Sequence, residues 1–241
     1  MINRPSTLPE NRAVRVLAAI PPGTAGRVEV QEKLDLLRAI KRYRYSPTPP
    51  AFPTTPADVP AFLDTVSAQA AVVPGVQGMV DMAYNHANDL LTAEMSSHVD
   101  SFLPVIAERF NALAPVFVDL YGDGFPVNKS DLVDLGSVGL KRYEDARGIS
   151  AQLEELLTLA TVVLGLEEPS SAEIYSLVTP DVVSNAQFRA VHGQFQRLQP
   201  PPGFGMVSMF RPGYDLDMPT TAAEHRRREV VMITEPTGGY R

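Results

Sequence analysis

Cysteine is absent from the 241-residue chain, and with it go disulfides, thiolate zinc sites and cysteine nucleophiles. Stability must therefore come from packing. Tryptophan is absent as well, and lysine occurs only at 33, 41, 129 and 141, so that 17 of the 21 cationic residues are arginine. Together with abundant Ala, Val and Pro, this bias fits a high-GC genome, such as that of an actinobacterium or one of its viruses. No apolar run reaches the ~20 residues of a membrane span; the most apolar segment, LLTLATVVLGL at 156–166, stops near half that length. The opening MINRPSTLPENR has no apolar core of a secretory signal. The expectation is a protein used in the cytoplasm of its host, or in a virion, with no membrane partner.

A length of 241 residues suits one large domain, or a compact body with arms, and 44% hydrophobic content describes a globular chain. The formal charge of -7 and the pI near 5.1 argue against general nucleic-acid binding, which needs a basic surface or a strong local patch.

Along the chain, the first eleven or so residues are polar and read as an arm. Val14, Val16, Ala18 and Ile20 alternate with other residues as in a half-buried strand, and RVEV at 27–30 alternates again. With Pro22-Gly23 between them, these segments predict a β-hairpin. A helix follows, with Leu34, Leu37 and Ile40 on one face. Six prolines between 46 and 60 then exclude regular structure and define a strap.

The middle reads as helical. Phe62, Leu63, Val66 and Ala70 open a helix that VVPG at 72–75 is expected to end. Val80, Tyr84, Ala87, Leu91, His98, Phe102 and Val105 share the next stripe, with a kink or restart near Asp100 and a break at Pro115. Ser130 is expected to cap one helix, Ile149 to Leu166 to form a central one, and Ser170 and Asp181 to cap two more. Beyond residue 200 a strand-like piece at 206–210, a short polar helix TTAAEHRRRE and a strand VVMIT complete the chain. The fold class is thus mainly α: a helical bundle with Pro-rich extended arms and a few short β-strands near the two termini. Its parts are 1–45 (arm, hairpin and first helix), 46–60 (strap), 61–199 (helical core) and 200–241 (extended or β segment).

Each hint of chemistry has a plainer reading. GTAGR at 23–27 lacks the spacing and the lysine of a phosphate loop. DLYGDGFPVNKS at 119–130 places Asp119, Asp123 and Gly124 as in a calcium loop, but Tyr121 and Ser130 stand where carboxylates are needed. LGSVGL lacks the spacing of a nucleophile elbow, and the histidines at 86, 98, 192 and 225 form no metal motif. No metal, cofactor or catalytic residue is assigned.

Glu94 and His98, four apart, could act as an acid–base or metal pair, although a polar seam between helices accounts for them more simply. Two basic clusters remain as interface candidates: Arg38, Arg42, Tyr43 and Arg44 in RAIKRYRY, and Arg226, Arg227 and Arg228 in EHRRRE.

The function expected from this pattern is a non-enzymatic structural or assembly subunit. It would self-associate and partner other assembly subunits, the specific case being a capsid, connector or tail protein of a virus of a high-GC bacterium. Two alternatives stand beside it. One is a nucleic-acid-binding regulator using clusters 38–45 and 224–229; the other is an enzyme with a Glu94/His98 centre.

Overall fold

The computed structural model describes residues 8–42, 59–122, 135–166 and 215–234, together with Ile174, Leu177 and Val178. Six helices have described bounds, α1 (Leu8–Ala19), α2 (Arg27–Arg42), α3 (Val59–Ser97), α4 (Val99–Gly122), α5 (Ser137–Val163) and α6 (Ala222–Thr234), and Ile174, Leu177 and Val178 are helical as well. The mainly helical expectation is met, and no strand occurs among the described residues. Residues 1–7 of the arm, 46–58 of the strap, Ser130, Ser170, Asp181 and the strand expected at 206–210 lie outside them, whereas residues 8–11 of the expected arm begin α1 and residues 59–60 of the expected strap begin α3.

The expected N-terminal hairpin is replaced by two helices. Val14 to Ala19 belong to α1, and Val28 and Val30 to α2. Ala13, Val16, Leu17 and Ile20 are buried, a 3-4 spacing hidden in the letters that also alternate, while Val28 stays 61% exposed and Val30, Leu34 and Leu37 turn inward. In α2 a shared apolar face over sixteen residues outweighs the β preference of its two valines. Three other expectations fail in the same direction. Pro74 and Pro115 lie inside continuous helices, each forfeiting a backbone hydrogen bond, and VVMIT is the last part of α6. The restart near Asp100 is present: α3 ends at Ser97, and the His98 carbonyl accepts from the Ser101 and Phe102 amides at 3.0 Å each to begin α4.

Two compact units divide the chain, one comprising 1–14 with 28–95, the other 15–27 with 96–241. In the first, Glu10 near the start of α1 meets Arg38 and Lys41 near the end of α2, at 3.3 and 2.7 Å, which fixes those two helices antiparallel. Its buried residues on α3 are Ala87, Leu91 and Met95.

In the second unit α4 packs against both α5 and α6. Phe102, Ile106, Phe110, Ala114 and Phe117 form the inner stripe of α4, all at most 1% exposed, and Tyr143, Ala146, Ser150, Leu153, Leu157 and Ala160 that of α5. Residues 99–120 have the length and mean hydropathy, 1.3, of a membrane span, and that apolarity supplies the inner stripe. Gly165, at φ +74°, terminates α5: its amide donates to the Val162 carbonyl and that of Leu166 to Thr161, a Schellman closure. The turn between α1 and α2 is held from α2. The Arg27 guanidinium donates to the Ile20 and Leu17 carbonyls, at 3.0 and 3.2 Å, satisfying acceptors at the α1 C-terminus.

Gly26, at φ +85°, completes that turn, and a Cβ built there would lie 2.1 Å from His98 Cγ. The ring occupies the space a side chain would need. Gly26→Ala is expected to destabilise the protein by more than about 2 kcal/mol, from backbone strain plus displacement of the ring, as read by chemical denaturation.

Candidate interaction surface

The structure engages part of each basic cluster within its own unit. In α2, Arg38 bonds Glu10 and lies 3.6 Å from Asp35, and Lys41 bonds the other oxygen of Glu10. The Lys41 hydrogen bond, helped by Arg38 and opposed by partial burial, holds the Glu10 carboxyl below its usual range. Arg42 is exposed, and Tyr43 and Arg44 lie outside the described residues.

In α6 the division is sharper. Arg228 donates to the Asp217 carbonyl and carboxylate, both at 2.8 Å, and to Glu224 at 2.6 Å. Burial pushes the Glu224 carboxyl up, but hydrogen bonds from Arg228 and the Thr220 amide outweigh it and leave it lowered. Thr221 Oγ1 accepts the Glu224 amide, Glu224 accepts the Thr220 amide, and Asp100 accepts the Ala222 amide, so side chains cap the start of α6. Asn111 on α4 adds a two-way grip, donating to the Met218 carbonyl at 3.0 Å and accepting its amide at 2.7 Å, as a neighbouring strand would. Arg226 and Arg227 remain exposed on this pinned helix.

Glu94 and His98 do not share a helix, because α3 ends between them. Glu94 belongs to the first unit. His98, in the second, packs on Gly26 and tilts against Phe102 with ring centroids 6.0 Å apart. Among the described residues no three His, Asp or Glu side chains gather as a metal site would require. An open groove of about 440 Å³ in the second unit is lined by Arg15, Arg109, Leu113, Gln152, Glu155 and their neighbours. Arg15 grips Glu155 with two nitrogens, so this carboxylate is committed to an ion pair and the groove holds no candidate base or nucleophile.

The most distinctive surface is one that sequence reading passed over. Between Val59 and His86 no described residue of α3 is buried. Val76, Val80 and Tyr84 are half-buried on the inner stripe that continues through Ala87, Leu91 and Met95. Roughly opposite runs a second series, spaced alternately four and three. It comprises Ala61, Thr65, Ala68, Val72 and Gly75, then Met79, Met82, His86, Asp89 and Ala93, and every member is exposed. Met79 and Met82 are 71% and 73% exposed and Val72 49%, far more than a covered face would leave. The spacing is that of heptad positions a and d, but Thr65, His86 and Asp89 among them are polar, so the apolar part is Val72, Met79 and Met82 with small neighbours. The signal was present in the letters, but small residues in half of its positions concealed it.

The same stretch is electrically one-sided. Residues 45–108 contain seven Asp or Glu and no Lys or Arg. A nucleic-acid backbone is therefore a poor match for it.

No protein family, curated protein or solved structure matches the chain.

Two measurements test the polar contacts. Asn111→Ala should cost about 1–3 kcal/mol in urea unfolding, since it orphans a buried amide and carbonyl together. For Glu10 the folded pKa lies below the usual value near 4.5, so its stabilisation is present above that value and is lost as pH falls through the folded one. Glu10→Gln should accordingly flatten the fall of Tm below pH ~4.5 while lowering Tm at neutral pH.

Proposed function

We propose that this chain is a non-enzymatic structural or assembly subunit that associates with copies of itself. The observation that carries the reading is the apolar surface of α3 left exposed among the described residues: Leu63, Val66, Val72, Met79 and Met82. Surfaces of that kind mark sites of protein–protein contact. The distribution of polar groups agrees with it: Arg38, Lys41, Arg228 and Arg15 all engage carboxylates within the protein, as scaffold residues do. The narrower reading, a capsid, connector or tail subunit of a virus of a high-GC bacterium, is supported by the arginine-rich composition and the Pro-rich segments alone.

A nucleic-acid regulator would have to rely on Arg42, Arg226 and Arg227, because the other described cations of the two clusters are engaged. Size-exclusion chromatography with light scattering and paired absorbance at 260 and 280 nm separates the readings, since a protein without tryptophan absorbs weakly at 280 nm. The expected result is a nucleic-acid-free multimer of the 26.2 kDa chain whose mass grows with concentration. A monomer at every concentration would contradict self-association.

A further inference from the structure

We infer that the groove of the second unit, between α1, α4 and α5, is a binding site for a small amphiphilic monoanion, an alkyl carboxylate whose chain lies on a leucine floor and whose charge is met by Arg109. The site goes beyond the assembly reading and does not depend on it.

Residue choice on three helices makes the groove. Arg15, Ala18 and Ala19 stand three and four apart on α1, Arg109 and Leu113 four apart on α4, and Ala151, Glu155 and Leu159 at steps of four on α5. Each helix therefore turns one face to the same space. Alanine at 18, 19 and 151 keeps that space open, because larger side chains there would close it. Leu156 and Leu159, each 3% exposed, and half-buried Leu113 give it a hydrocarbon floor. Its volume of about 440 Å³ falls within the ~300–1,000 Å³ of small-molecule sites, which likewise combine an apolar lining with a few polar groups.

Charge selects the occupant. The lining holds two cations, Arg15 and Arg109, and one anion, Glu155, so that its net charge is +1. Arg15 takes up both oxygens of Glu155, through Nε and one terminal nitrogen, and neutralises it. Arg109 is exposed and has no hydrogen bond or ion pair among the described residues. A guanidinium beside hydrocarbon matches a carboxylate on a hydrocarbon chain, since it presents two parallel N–H groups to the two oxygens. Gln152, whose Nε2 donates to the Gly148 carbonyl at 3.3 Å, has a second N–H for the same group. A polyanion fits poorly because a single cation is uncommitted, and an uncharged ligand leaves Arg109 unmatched.

The test is calorimetric titration of the full-length protein with decanoate, below its micelle-forming concentration, and with decan-1-ol as the uncharged counterpart. The expected result is saturable binding of decanoate at one site per chain, with the alcohol weaker by about tenfold or more. Arg109→Ala should weaken decanoate by about tenfold and leave the alcohol unchanged, and Arg109→Lys, which keeps the charge without the fork, should recover part of the loss. Ala151→Leu, at an exposed position, should fill the groove and abolish binding of both. Lack of saturable decanoate binding would overturn the inference. Equal affinity for the two probes, measured on the unaltered protein, would overturn it too, because the charge would then select nothing. Binding that survives both Arg109→Ala and Ala151→Leu would place the ligand elsewhere, with the same consequence. A chain that binds decanoate as expected yet stays monomeric at every concentration would contradict self-association and leave this site standing.

Discussion

A helix as long as α3 has to be held by something, and its own composition does not suffice. Val66, Val72, Val73, Val76 and Val80 with Thr65 lower its intrinsic preference, and Pro74, Gly75 and Gly78 lower it further. Helical segments of this kind are stable through packing of a face rather than through propensity. The inner stripe meets that need from about Val76 onward, where half-buried Val80 and Tyr84 lead to buried Ala87, Leu91 and Met95. Before Val76 only Phe62 and Gln69 among the described side chains are even half-buried. Association through this face, as proposed, would stabilise helix and interface together.

The second unit follows a different logic. An apolar inner stripe on α4 meets α5 and α6, and the irregular residues 215–219 are fastened by polar contacts aimed at the backbone: Asn111 on Met218, Arg228 on Asp217, and the Val178 carbonyl on the Asp217 amide. These grips supply hydrogen-bond partners to backbone that lies outside helix and sheet. They also explain the split in the C-terminal arginines, one of which fastens the fold while two face outward.

Much of the α-helical content was legible because the periodicity of the middle region is strong. Ala87, Leu91 and Phe102, on the expected stripe, are buried, and the restart near Asp100 occurs. The N-terminal helices were misread because Val14, Val16, Ala18 and Ile20 satisfy both periods. What decides is Ala13 and Leu17, which join Val16 and Ile20 on a helical face but break the alternation. Prolines misled in the same way: Pro74 and Pro115 look like stops, yet both lie within continuous helices, and at Pro115 buried Ala114 and Phe117 hold the turn that loses a hydrogen bond. The candidate surface was invisible for another reason. A seam built from Ala, Thr and Gly in one half has little hydrophobic signal, and its meaning emerges only when both halves are seen exposed on one face.

Charge sharpens the picture of the partner. A stretch of sixty-four residues with no cation disfavours a nucleic-acid backbone as the partner of this face. The measurement that bears most directly on this account is hydrogen exchange of the amides of residues 59–97 in the full-length protein at two concentrations, one well below and one well above the onset of association. Coupled order predicts that these amides, above all those of 61–75, slow markedly at the higher concentration while those of the α4 and α5 core do not change. Exchange in α3 that is identical at both concentrations, in a protein whose mass does change, would contradict the claim that this seam is what the copies share.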